Sequence, residues 1–553
     1  TFNIASVALG ANITATDTVI AVASTAGFAS HGRIRIENED IDYAALTATT
    51  FTGARRGVAG STAAAHNTGA AVNSAQDECV IRSTGTVTAG NAKRVVEKGL
   101  QNPGAMMVYA KTAGNNIPYF RRWDGTRWGS ERQATPVGAG NTIQYLVLKF
   151  ARTRNEAILG TLDDNGDIQV QVWNGNTQTW SATTLLANIG DFDFRGFDIE
   201  YETSGDRAVV VYNDDTGSPN YRIWDGTAWS IETNIPLGGG IPYWIELAPN
   251  PLPTSSEIVM LTLKSNRNVR ARRWPGGGTP GTAWAVMGGA GGSWGSVDDE
   301  TRKGIDVAYE RTSGRAMFIW GNGNNGEQNF RTWNGVLSGI STLDLNSPPT
   351  DANMAGIANW VRLVPNPAFG SNQLMYGVQD DNRDLFTAFW NGAAWGSAAQ
   401  HDDRTEDLRD RNFDLVFETH PSTVGRAWLV WGRRGGPGGA AAGVRRRQWN
   451  GAAWTPLTLT PTSNRTALVQ LATQPYTGAV FAAIYEDSVS PTDDIREMHL
   501  TGGSGAWSAL SSPSTVPTDP VWAGLTVGNP VMERVFVAPE RYSPTVDWRE
   551  IFP

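Results

Sequence analysis

Short stretches of alternating apolar and polar residues recur along most of this chain. FDIEYET (197–203) puts every second residue on one face, the period of a half-buried strand, and GDRAVVVYND (205–214) is a β-branched run. The same order returns in GIDVAYERTSGRAMFIWGNG and in FDLVFETHPSTVGRAWLVWGRR. No long segment repeats its apolar residues at the 3.6-residue period, so the pattern predicts an all-β chain.

Each strand set ends in a tryptophan-bracketed turn. WDGTRW starts at Trp123, WNGNTQTW at Trp173, WDGTAW at Trp224 and WPGG…TAW at Trp274. WNGVLSG follows at Trp333, WNGAAW at Trp390 and at Trp449, and a worn copy, LTGGSGAW, at Leu500. The Asn/Asp-Gly pair supplies the positive φ of a tight hairpin, which sets the two tryptophans on neighbouring strands. Four strand-like pieces in a unit of about 50–60 residues are the grammar of a propeller blade. A four-stranded sheet buries neither face alone, whereas blades stacked in a ring bury both.

Alternate units open differently, with IQYLVLKF, PYWIELAPNP, NWVRLVPNP and ALVQLATQP, so a two-unit super-repeat is expected. The end of the chain, VWAGLTVG…MERVFVAP…TVDWREIF, reads as a ninth, three-stranded unit that residues 78–88 could complete. The predicted fold is therefore a large propeller of eight or nine four-stranded blades, nine being preferred, preceded by a small β domain. Residues 1–75 form that domain, 76–92 connecting strands available to close the ring, and 93–553 the propeller.

Composition narrows the chemistry. The chain has 553 residues and a formal net charge of −9, with charges spread along it. This argues against a nucleic-acid partner. Its one cysteine, Cys79, excludes an intramolecular disulfide and is expected to be a small buried residue. No apolar run of about 18 residues is present, so this chain is not expected to insert into a membrane.

Residues 1–75 lack tryptophan and carry the phrase GF…G.I.I..E…Y followed by RG…H..G..V. Its residues are Gly27, Phe28, Gly32, Ile34, Ile36, Glu39, Tyr43, Arg56, Gly57, His66, Gly69 and Val72. This phrase resembles a β module of phage tail and other virion structural proteins. His66 has no second His or Cys near it in sequence and is expected to be a packed or hydrogen-bonded structural residue. Residues 78–98, with Ile81, Ser83, Gly85, Val87, Ala92, Arg94 and Val96, resemble the closing strands of PilX-type minor pilins.

The repeated tryptophans are expected to cement adjacent blades. W-D-G and paired-Trp phrases also resemble those of fucose-binding and tectonin-like lectin propellers, which implies an Arg and a Trp in each inter-blade sugar pocket. The candidates are Arg122 with Trp128, Arg222 with Trp229, and Arg447 with Trp454. Asp163, Asn165 and Asp167 have the oxygen spacing of a calcium loop without its distal Glu, so calcium is the one cofactor considered. Thr1, Phe2, Asn3 and Ile4 are candidates for subunit contact by strand addition.

The five histidines sit in unrelated contexts and no enzyme motif is present, so no catalysis is expected. A propeller glycoside hydrolase would need a carboxylate pair or a Tyr/Glu pair at one face, and the sequence singles out none. The leading expectation is a non-catalytic structural or adhesion subunit of an extracellular filament, pilus-like or phage-like, that self-associates. The alternative is a carbohydrate-binding lectin propeller at a cell or virion surface.

Overall fold

The computed structural model describes residues 6–28, 32–58, 61–74, 105–110, 115–123, 128–277, 284–288, 292–322, 326–345, 354–405, 411–420, 422–433, 442–462, 465–475, 477–487, 494–503, 505–511 and 535–539. They are strands, turns and loops, and none forms an α-helix. The chain divides into two compact units, of which the first holds the described residues 6–74 and the second 105–539.

In the first unit a five-stranded sheet runs Ser6–Ala8, Ala71–Ser74, Gly32–Ile36, Glu39–Tyr43, Arg55–Val58, beside a three-stranded sheet. Ile20, Ile34, Ile36, Ile41, Phe51 and Val72 fill the space between them. The polar residues of the N-terminal phrase converge on one buried carboxylate. Glu39 accepts Arg56 Nε at 2.8 Å, the Gly57 N–H at 2.9 Å and the Ala64 N–H at 3.1 Å. His66 Nε2 lies 2.7 Å from Glu39 Oε2, and Nδ1 lies 3.0 Å from Glu37. Burial alone would raise Glu39, but the bonds from Arg56, His66 and Ala64 hold its carboxyl below the usual range. His66 is thus hydrogen-bonded within a structural knot, as expected. Gly57 is required there, because its φ is 64° and a Cβ would stand 2.6 Å from the Ala63 nitrogen.

The second unit is a β-propeller. Eight antiparallel sheets are described, named A to H here in chain order. In sheet C the order is Phe197–Tyr201, Ala208–Tyr212, Asn220–Trp224, Thr233–Asn234, and the other sheets follow it. The first strands of sheets B to H are Ile143–Phe150, Phe197–Tyr201, Pro242–Pro249, Ile305–Tyr309, Ala358–Pro365, Phe413–Phe417 and Arg465–Thr473. Each packs against the next around the hub.

Sheet A departs from the expected closure. Its strands Ala105–Tyr109, Tyr119–Trp123 and Arg132–Gln133 are completed by Val535–Pro539, which pairs antiparallel with Ala105–Tyr109. That late strand also contacts the first strands of sheets B and H, so the circle of hub strands is closed. VFVAP is therefore the inner strand of sheet A rather than a strand of a separate ninth unit, and the propeller's described residues form eight sheets. Residues 78–88, Cys79 and the pilin-like stretch lie outside the described residues.

The hub is tied by charge. Lys149–Glu200 (2.5 Å), Arg195–Glu246 (2.5 Å), Lys303–Glu246 (3.3 Å) and Arg362–Asp414 (2.8 Å) link successive sheets. Asp198, Asp306 and Asp414 occupy the same position in FDIEY, IDVAY and FDLVF. Each accepts, at 2.8 Å, a backbone N–H of the next hub strand, from Leu247, Leu363 and Leu471 respectively. These carboxylates satisfy backbone donors that would otherwise be buried without partners.

Candidate functional site

Each Trp-turn joins the third strand of a sheet to its outer edge. Trp173 and Trp180 are direct cross-strand partners, as are Trp390 and Trp395, and single bridges pair Trp123 with Trp128, Trp224 with Trp229, and Trp449 with Trp454. Their ring centroids lie 5.3 to 5.6 Å apart. Trp173, Trp274, Trp390 and Trp449 are buried, which fits the role of cement between sheets.

The rim has two kinds of seam, and they alternate. In sheets C, E and G the hub strand ends in a fully buried glutamate. Glu202 accepts the indole N–H of Trp274 at 2.8 Å and pairs with Arg207 at 2.8 Å. Glu310 accepts that of Trp390 at 2.6 Å and pairs with Arg315. Sheet H has Leu500 in place of the first tryptophan, and Glu418 accepts Trp428 Nε1 (2.8 Å) and Gln448 Nε2 (3.0 Å) instead. The C-to-D and E-to-F seams are closed by these bonds, whereas at G to H the Glu418 bonds stay within sheet G and Trp428 packs edge-on against Trp507 at 5.3 Å.

In sheets B, D and F the matching position holds Ala151, Asn250 or Asn366, and the acid or amide comes from the next strand. Glu156 accepts the Tyr201 hydroxyl at 3.0 Å and Arg154 at 3.0 Å. Glu257 accepts Tyr309 at 2.7 Å and pairs with Arg273 at 3.1 Å, while the Arg273 guanidinium lies 5.4 Å from the Trp333 ring centre. With the carboxylate engaged from behind, the first tryptophan of the following sheet keeps no acceptor, and Trp224 Nε1 has no partner.

Between sheets B and C this arrangement opens a cleft of ≈ 540 Å³, lined by Arg154, Glu156, Trp173, Asn174, Trp180 and Trp224 among others. Arg154 packs beneath Gly226 and also faces Asp206 at 3.5 Å, so its charge is matched by two carboxylates. Trp180 Nε1, at the cleft wall, has no hydrogen-bond partner. The F-to-G seam is filled differently. Phe389 stacks on Trp449 at 4.2 Å, and His401 meets Trp454 edge-on at 4.7 Å. Burial, aided by the Arg447 charge, pushes His401 down to about 3, leaving it neutral at ordinary pH.

The sequence-based pairs fare unequally. Arg447 and Trp454 share the F-to-G seam with His401. Arg222 lies two residues before Trp224, on the same face of its strand, and reaches Glu232 at 4.0 Å while Tyr212 donates to the same carboxylate. Arg122 is a correction: it stands one residue before Trp123, so it faces sheet B, 5.8 Å from the Trp173 ring centre, while Trp128 packs on Phe481 of sheet H. Arg121, two residues before Trp123, holds the place of Arg222 and donates to Tyr109 and to the Gly129 carbonyl. Parity along the strand would have found it. Arg154 and Glu156 were missed because they lie just before and at the start of the strand Glu156–Asp163, outside the repeated Trp-turn phrase.

Asp163, Asn165 and Asp167 are occupied with their own turn. Asp163 Oδ1 accepts the N–H groups of Asn165 (3.1 Å) and Asp167 (3.0 Å), and Oδ2 accepts Asn141 Nδ2 (2.9 Å). Asp167 is held by Asn188 at 2.7 Å. Among the described residues no group of three or more His, Cys, Asp or Glu gathers to hold a metal ion. Thr1, Phe2, Asn3 and Ile4 lie outside the described residues.

No family model matches the chain, and no curated protein does. Several solved structures resemble it. The fucose-specific lectin from Aleuria aurantia is 13% identical, with a TM-score of 0.34, over 58% of this chain and 96% of that one. The SapL1 lectin in complex with alpha methyl fucoside is also 13% identical, with a TM-score of 0.33, over 67% and 95%. A prolyl endopeptidase is 11% identical, with a TM-score of 0.37, over 67% of this chain and 51% of that one. Sugar-binding and peptide-cleaving proteins both occur among these neighbours, so the chemistry has to be read from the residues of the cleft.

Proposed function

We propose that this protein binds carbohydrate at the open seams of its propeller, foremost in the cleft between sheets B and C. The observation that carries this reading is the ≈ 540 Å³ cleft, whose wall combines indole rings with Arg154, Glu156 and Asn174. Indole rings offer flat apolar faces to the C–H side of a pyranose, and planar amide, guanidinium and carboxylate groups pair with its hydroxyls. Arg154 is already balanced by Glu156 and Asp206, which favours a neutral sugar over an anionic one. Of the two functions expected from sequence, this geometry supports the carbohydrate-binding alternative rather than the filament subunit. Such a protein would work at an extracellular or cell surface, where glycans are displayed.

Titrating the full chain with neutral mono- and disaccharides, guided by a glycan array, tests the reading. Trp224→Ala should weaken binding at least tenfold, and Trp390→Ala, in a closed seam, should leave it unchanged in protein that remains folded. Silence of the folded wild-type chain across neutral glycans would overturn it.

A further inference from the structure

The Trp-turn beside the open cleft differs from its counterparts in length and in chemistry. In sheets A, C, F and G four residues separate the paired tryptophans, as in WDGTAW and WNGAAW. In sheet B six residues, 174–179, separate Trp173 from Trp180. The turn of sheet D, from Trp274 to Trp284, lies partly outside the described residues. Sheets F and G carry only alanines after the Asn-Gly pair, Ala393 with Ala394 and Ala452 with Ala453. Sheet B carries Asn176, Thr177, Gln178 and Thr179 there, and Asn176 and Thr179 line the cleft together with Asn155 and Asn174.

The longer turn is held in one shape from three sides. Asn174 Oδ1 accepts the N–H groups of Asn176 (3.0 Å) and Thr177 (3.2 Å). The hydroxyls of Thr177 and Thr179 lie 2.7 Å apart. The Gly175 N–H donates to the Asn155 carbonyl at 2.7 Å, and a Cβ on Gly175 would collide with the Asn155 amide, so glycine lets the two segments meet. From sheet A, Arg132 donates to the Gln178 carbonyl at 2.8 Å and to Gln178 Oε1 at 3.2 Å. Gln178 is thereby held at a φ of 57°, a left-handed conformation that persists only where the surroundings impose it.

Asn155 Nδ2 donates to Asn176 Oδ1 at 3.1 Å, joining the entry of the second strand to the turn. Among the described residues this pair leaves Asn155 Oδ1 and Asn176 Nδ2 without an intramolecular partner, and Asn174 Nδ2 has none either. Asn174, Asn176 and Thr179 are exposed. A turn that only joined two strands would need neither the added residues nor a fixed row of amides at the edge of the cleft.

We propose that this rim is a second sugar subsite, so that the cleft takes a neutral oligosaccharide of at least two pyranose rings rather than a lone monosaccharide. The inference rests on the carbohydrate reading of the cleft. One ring lies against the indoles beside Arg154 and Glu156, and the next meets Asn155, Asn174, Asn176 and Thr179. Amides and hydroxyls supply both donors and acceptors, which suits ring hydroxyls, and these four residues carry no formal charge. A cleft of ≈ 540 Å³ falls among those that enclose drug-sized ligands, and one pyranose ring leaves much of it empty. A rim that is already fixed loses little conformational freedom when the second ring binds.

Calorimetric titration of the full chain tests this, with the methyl glycosides of glucose, galactose, mannose and fucose set against maltose, lactose, mannobiose and fucosylgalactose. The tightest disaccharide should bind about tenfold better than the tightest glycoside, the gain expected from two or three added hydrogen bonds. Asn176→Ala combined with Thr179→Ala should cost the disaccharide about tenfold more than it costs the glycoside. Both residues are exposed, so the double variant is expected to stay folded, which its unfolding midpoint checks. Trp224→Ala should weaken glycoside and disaccharide by the same factor, because it acts on the ring they share. A glycoside that binds as tightly as every disaccharide, or a folded double variant that loses the same factor for both, overturns the second subsite and leaves the carbohydrate reading standing. Failure of all the probes to bind overturns both.

Discussion

The closed and open seams of the propeller use the same parts in opposite senses. At a closed seam the carboxylate sits at the end of the hub strand and takes the indole N–H of the next sheet, as Glu310 does with Trp390. At an open seam the carboxylate sits one strand further out and takes a tyrosine hydroxyl from behind, as Glu257 does with Tyr309. Moving one acid across a hairpin is enough to release a tryptophan. The first arrangement uses the tryptophan to hold the ring, and the second leaves Trp224 on the cleft wall between sheets B and C, although Phe389 covers Trp449 between F and G.

The sharpest way to break this comparison is to remove the acid from each kind of seam. Glu310 is fully buried with Arg315 and Trp390 on it, so Glu310→Ala should cost about 3 kcal/mol by leaving the buried Trp390 indole N–H without its acceptor and Arg315 without its carboxylate. Glu257→Ala, whose own side chain is 15% exposed and so reaches solvent, should cost only about 1 kcal/mol. Chemical unfolding of the two variants measures this, and equal losses would erase the distinction.

A second contrast sets Asp380 against Asp414. Burial pushes Asp380 up to about 7, whereas Arg362 and Arg411 overcome the burial of Asp414 and hold its carboxyl below the usual range. Folded Asp380 binds more protons than unfolded Asp380 between about pH 4 and 7, so its contribution to stability falls as pH rises through that window. Asp414 works the other way: its contribution is present above the unfolded carboxylate pKa and is lost as pH falls through its folded value. Asp380→Asn should therefore flatten the loss of melting temperature between pH 4 and 7. Asp414→Asn should lower stability at neutral pH and reduce its fall in acid.

The smallest effect belongs to the rim. Ile231, 74% exposed on the outer edge of sheet C, should change stability by no more than about 0.5 kcal/mol when replaced by threonine. A larger loss in a melting curve would mean that the rim is covered in solution.

Much of this design was legible in the sequence. The Trp-turn gave the hairpin between third and outer strands, and the alternating openings announced the two-sheet rhythm that the seams obey. The closing strand was harder, because VFVAP pairs with Ala105–Tyr109 from the other end of the propeller, and no local pattern encodes a partner so remote. Its likeness to DVAYE in sheet E was the signal available. The candidate site was half legible for a similar reason. Strand parity decides whether an arginine shares a face with its tryptophan, which separates Arg121 from Arg122, whereas Arg154 and Glu156 sit at the entry to the second strand, away from the Trp-turn phrase.

Closure by Val535–Pro539 has a consequence for how the molecule is made. A nascent chain leaving the ribosome can assemble sheets B to H in sequence, each folding onto its predecessor, but sheet A keeps a bare inner edge until Val535–Pro539 is released. Any product cut short before that strand would carry an open, unpaired edge in the middle of the ring. Sealing the ring thus joins segments from opposite ends of the propeller's sequence, a contact of the longest range, which forms late in folding.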